Sequence, residues 1–207
     1  GDIDIAPQTE VDAALYVTQP FFDVSTRIPL PYAEARPRVE ALAAKYPNDP
    51  KLPQTLARLD VSLGRIDDAV ASMERSATLA GRKPLALRRL AAFYHDRARP
   101  ADEIKVLSEL ADKLPLRERA PVYARAIAAV NDGRPGGIRV DDFYEKLIDA
   151  NPDNGESLRE YVSLLLDSRD TERALRILDR AAKVSGERTR ATARLLLSER
   201  ARIYDRL

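Results

Sequence analysis

Few residues in this chain could do chemistry, and their spacing argues against most of it. There is a single histidine, His95, and no cysteine in 207 residues. An imidazole acts as a general base or a metal ligand only with partners held beside it. With no second histidine and no thiolate to complete such a set, His95 reads as a solvated or groove-lining side chain. Asp141-Asp142, Asp167 and Asp170 would offer carboxylates for acid–base work. On amphipathic helices, however, such acids sit in solvent or near a helix N-terminus, where they complement the dipole. Asn151-Pro152-Asp153-Asn154-Gly155-Glu156 has the look of a calcium loop but lacks the alternating oxygens and the distant bidentate glutamate. Gly133-Arg134-Pro135-Gly136-Gly137 has glycines but no Lys-Ser/Thr after them, so it cannot cradle a phosphate. No Gly-x-Ser-x-Gly elbow occurs either. The expectation is a chain that is not an enzyme and holds no metal or cofactor.

The residues that would have to position any site are helical. From Ala33 to Leu207 the apolar pattern follows the helical period. It predicts helices over 33–46, 52–63, 66–80, 85–97, 100–114, 118–131, 139–150, 155–168, 171–184 and 188–206. Proline or glycine closes a helix at Pro47, Gly81, Pro115, Pro152 and Gly186, at spacings of 34, 34, 37 and 34 residues. A fixed period of this size indicates stacked helix pairs. Short links, such as Gly81-Arg82-Lys83-Pro84, make the neighbours antiparallel.

A second pattern agrees with the period. The first helix of each pair carries a large-then-small couple: Leu56-Ala57, Leu90-Ala91, Tyr123-Ala124 and, less well, Tyr161-Val162. The second helix wants a small residue where the two cross, and Ala69 and Ala174 supply it. Glu103 and Val140 stand in that place in the other two repeats and break the pattern. Apolar Met73, Leu107, Tyr144 and Leu178 follow, then Ser76 and Ala181, with bulkier Leu110 and Leu147 at the matching sites. Small residues at a crossing let backbones approach, and large ones fill the groove between pairs.

In period, turns and small residues together, the chain resembles the tetratricopeptide repeat family. The resemblance spans four full repeats, roughly Pro50 to Glu187, plus half-repeats on either side. It implies an all-α, right-handed α-solenoid over 33–207 and a role in protein–protein interaction. Two departures stand out. Asn131 to Gly137 lengthens the third link into a protruding loop. Residues 16 to 31 contain Pro20, Pro29 and Pro31 and cannot form a regular helix. We therefore expect residues 1–32 to be mostly extended and to cover the first helix, with one short helix over 8 to 17.

In the repeat frame the groove-facing positions of first helices are Gln54 and Arg58, Arg88 and His95, Arg125, then Arg159 and Ser163. An arginine recurs once per repeat. The plain reading is a set of solvated charges. The sharper one is a basic stripe on a concave face that holds an acidic peptide or a C-terminal carboxylate. Some members of the family clamp chaperone tails with a lysine–asparagine set. Gln54 and Arg58 stand at the equivalent places here, so that activity is not implied.

Composition limits the partner. With 34 basic and 33 acidic residues there is no net field to draw in nucleic acid. Tyr94, Tyr123, Phe143, Tyr144 and Tyr161 fall on or beside packing positions, and core explains them better than base stacking. Apolar runs such as Leu164 to Leu166 are far too short to span a bilayer. The ends of the chain read as a segment of a longer protein, and its arginine and alanine richness hints at a bacterial source, cytoplasmic or exported. The leading expectation is thus a scaffold or adaptor domain that binds a protein or peptide in its groove. A docking domain of a larger enzyme or membrane machine, or a self-association module, stands as the alternative.

Overall fold

The computed structural model describes residues 32–152, 154–184 and 190–205. The expected extended N-terminal segment, its short helix and the turn at Gly186 lie outside the described residues. Within them the chain is all-α: α1 (Tyr32–Lys45), α2 (Lys51–Ser62), α3 (Ile66–Leu79), α4 (Pro84–Asp96), α5 (Pro100–Asp112), α6 (Leu116–Gly133), α7 (Val140–Ala150), α8 (Gly155–Asp167), α9 (Thr171–Val184) and α10 (Arg190–Tyr204). Each begins and ends within about two residues of its expected bounds. Packing divides the helices into two compact units, one through Leu90 and one from Ala91.

In the first unit α2 packs on both α1 and α3. Ala35 and Val39 of α1 meet Leu52 and Leu59 of α2, with Leu42, Ala43, Tyr46 and Leu56 closing over them. Ala57 and Ala69, the expected small residues, are fully buried. One charge is buried with them. Asp60 has no solvent exposure and accepts a hydrogen bond from Arg36 Nε at 2.5 Å, while its Oδ2 has no partner among the described residues. The Asp60 carboxylate is also what most strongly raises the Arg36 guanidinium pKa above its ordinary value. The pair ties α1 to α2 in a way the apolar pattern alone does not indicate.

In the second unit α6 packs between α5 and α7, α8 touches α7, α9 and α10, and α9 also reaches α7 and α10. Ala174, Leu178 and Ala181 of α9 are buried at these crossings as expected. The Tyr144 and Tyr161 rings stack with centroids 4.8 Å apart and planes 6° from parallel, joining α7 to α8. Tyr94, Tyr123 and Phe143 are buried too, so none of the five aromatics named above presents a free face to a base.

Helix ends follow one recurring device. After α2, Gly64 has φ +74, its N–H donates to Val61 O, and Arg65 N–H reaches back to Asp60 O. This is the Schellman arrangement, which satisfies carbonyls the helix leaves open. The same pair of bonds closes α3 at Gly81, α4 at Ala98 and α8 at Arg169. At the last two positions a side-chain-bearing residue holds positive φ, +52 for Ala98 and +61 for Arg169.

The third helix pair departs from expectation. Asn131, Asp132 and Gly133 are helical, so α6 is 18 residues long where α2 has 12. The extra residues of the longer period thus go into helix as well as into the link from Arg134 to Arg139. Gly133 is required there because a Cβ on it would collide with the Pro100 ring at the start of α5. Ala124, expected to pack, is exposed; the small buried residues of α6 are Ala120, Ala126 and Ala129. Val140 is only half-buried, since it opens α7 instead of lying within it.

Candidate functional site

The expected groove residues divide by what already occupies them. Gln54 is half-buried, whereas Arg58 and Arg88 are exposed on α2 and α4. Neither arginine makes an ion pair or side-chain hydrogen bond among the described residues. Arg159 is exposed, and its Nε donates to the carbonyl of Gly155, one turn earlier, at 3.1 Å. Ser163 accepts from Arg202 Nη2 of α10 at 3.0 Å. His95 and Arg125 are both committed to one acid.

That acid is Glu103, buried to 2% exposure in the slot that elsewhere holds Ala69 or Ala174. Arg125 Nε donates to Oε1 at 2.7 Å, His95 Nδ1 stands 3.1 Å from Oε2, and Arg125 Nη2 reaches Ala91 O at 3.5 Å. A carboxylate withdrawn from water costs several kcal/mol unless cations and hydrogen bonds replace its hydration. Both oxygens are satisfied, so the acid fastens α4, α5 and α6 together. The sequence carried a signal for this: an acid in a slot built for alanine calls for a nearby cation. Two candidate donors for an external ligand are therefore already bound to an internal one.

The other candidate motifs do structural work. Asp141 accepts from Arg173 at 3.3 Å and from Arg139 at 3.0 Å. Arg173 also holds Glu145 at 2.7 Å, and Arg180 pairs with Asp149 and Glu145. Asp170 Oδ1 accepts the Arg173 N–H at 3.1 Å, satisfying an open amide in the first turn of α9. Asn154 caps α8 by accepting from Ser157 N–H, which is a helix start, not a calcium loop. Among the described residues no group of three or more His, Cys, Asp or Glu is placed to hold a metal ion. None of these helices is long and apolar enough to cross a membrane.

One feature of the first unit escaped the sequence reading. An open depression lies between the start of α2, the end of α3 and the start of α4, lined by Pro50, Lys51, Gln54, Met73, Ser76, Ala77, Ala80, Ala86 and Arg89. It carries two cations and no acid. Ser76 Oγ donates to Pro50 O at 2.6 Å and fixes one wall. Lys51 and Arg89 are exposed at its edge, where a period-based reading sees only solvated charge.

The fold defines the class: over the described residues the chain is an all-α helical repeat, and the candidate polar groups placed above serve packing and surface charge. No protein-family model matches the chain, and no curated protein matches it. Among solved structures it is similar to MamA AMB-1, at 17% identity over 90% of this chain and 94% of that one, with a TM-score of 0.48. It is also similar to MamA MSR-1, at 19% identity over 88% and 98% of the two chains, TM-score 0.45. A third is PilF of Pseudomonas aeruginosa, at 15% identity over 96% and 87%, TM-score 0.43.

Proposed function

We propose that this chain is a tetratricopeptide-like interaction module that binds an acidic segment of a partner protein through exposed cations of its first helices. Preordered side chains on rigid helices bind an extended segment with little ordering cost on the protein side. The observation that carries the reading is a contrast in charge pairing. Arg58 and Arg88 stay exposed with no acid on them, whereas Arg173, Arg176 and Arg180 of α9 each hold one. An unpaired guanidinium is free to take a carboxylate in a two-pronged bond. The same face would serve an adaptor or a docking domain of a larger machine.

A labelled peptide of alternating aspartate and glycine, titrated by fluorescence anisotropy, tests this. Arg58→Ala with Arg88→Ala should weaken binding on the order of tenfold, as lost charge-assisted contacts require. Arg176→Ala should leave it unchanged, and added salt should weaken it for the wild type. Equal losses from both sets, or no binding by the wild type, would reject the reading.

A further inference from the structure

The chain is nearly neutral, yet its charge is not evenly spread. Between Glu74 and Asp96 it carries Arg75, Arg82, Lys83, Arg88 and Arg89 and no acid. Arg82 is tied back to Glu74 at 2.8 Å. The depression opens beside this run, with Arg89 on its edge and Lys51 facing it from α2. Neither of those side chains is in an ion pair among the described residues. Its floor is the buried pair Met73 and Ala77, with half-buried Ala86 on one wall. Small alanines leave room for an aliphatic side chain, and methionine adapts its shape to one. Gln54 on the lining offers an amide to a backbone group.

From this juxtaposition we propose that the depression is an anchor site for an acidic partner segment: one aliphatic side chain seats on Met73, Ala77 and Ala86 while flanking carboxylates meet Lys51 and Arg89. The proposal rests on the acidic-partner reading above and adds the pocket that gives it side-chain specificity. A protein segment fits better than a nucleic acid, because the floor is aliphatic and narrow, and no aromatic residue lines it to stack a base. The local positive field attracts the segment, and the apolar seat selects which residue stands between its acids.

The test uses the chain with labelled Asp-Asp-Leu-Asp-Asp, the same peptide with glycine for leucine, and a single-stranded oligonucleotide. Lys51→Glu with Arg89→Glu should abolish measurable binding of the leucine peptide. Ala86→Leu, which fills the seat without changing charge, should weaken that peptide on the order of tenfold while leaving the glycine peptide unaffected. Lys105→Glu, exposed in the other unit, should have no effect, and circular dichroism should be unchanged for every variant. Undiminished leucine-peptide binding by Ala86→Leu, or equal affinity of the wild type for the two peptides, overturns the anchor and leaves the acidic-partner reading standing. Tighter binding of the oligonucleotide than of either peptide overturns it in favour of a general polyanion surface. Failure of the wild type to bind either peptide rejects both proposals.

Discussion

At the scale of single residues, Glu103 is the position where physical reasoning gains most over pattern. The periodic frame marks it as a misfit, an acid where alanine belongs, and the structure resolves the misfit by giving it Arg125 and His95. Which cation answers it was not legible, because Arg125 lies on another helix and reads, by its own position, as a groove residue. The arrangement makes an asymmetric prediction. Arg125→Ala leaves the buried carboxylate with His95 alone and should cost about 1.5–3 kcal/mol. Glu103→Ala restores the small residue of the other repeats and should cost clearly less. The double variant should therefore be more stable than Arg125→Ala alone. Urea denaturation of the three proteins decides it; a double variant less stable than both singles would refute the assignment of Arg125 to structure.

At the scale of elements, helix boundaries were legible because proline, glycine and short polar links punctuate the chain. The closing geometry was less so, since the device recurs where no glycine marks it. Ala98 and Arg169 hold positive φ in the place Gly64 fills after α2. A side chain there costs roughly 1 kcal/mol relative to glycine. Ala98→Gly and Arg169→Gly should accordingly each raise stability by several tenths of a kcal/mol, net of the greater unfolded-chain freedom glycine brings. Gly133→Ala should do the opposite despite its helical site, because the Pro100 ring occupies the space of the new methyl. Its cost should be about 1–3 kcal/mol, as for other overpacked sites. Thermal melts that rank Gly133→Ala above the wild type would show that α5 and α6 are not packed as described. The longer third pair illustrates the limit of the frame: an insertion is visible as a longer period, but whether it extends a helix or a loop depends on what the added turn meets.

At the scale of the whole molecule, folding is linked to pH through the stacked tyrosines. Burial is the main cause that raises the Tyr144 and Tyr161 phenols well above their ordinary value of 10. Above pH 10 the unfolded chain releases these protons while the folded chain keeps them. Their contribution to stability is therefore intact below that pH and is lost as pH climbs past it. The Tyr161 hydroxyl has no hydrogen-bond partner among the described residues. Tyr161→Phe should thus be close to neutral at pH 7 and should flatten the alkaline decline in denaturation midpoint. A decline unchanged in Tyr161→Phe and Tyr144→Phe alike would assign it to other groups.

The apolar period made the repeat legible, because each crossing selects for residue size and the same sizes return at fixed intervals. The candidate site was legible only in part. Period places Arg58, Arg88, Arg125 and His95 on equivalent surfaces, but pairing across helices separates exposed cations from committed ones, and no period encodes that. The central claim is that the unpaired cations of the first unit, not those of the second, receive an acidic partner. Amide chemical-shift mapping of the labelled chain during titration with Asp-Asp-Leu-Asp-Asp tests it most directly. The account predicts saturable shifts on α2, on the end of α3 and on the first turns of α4, with α7 to α9 unmoved. Shifts concentrated on α7 to α9, or none that saturate, would contradict it.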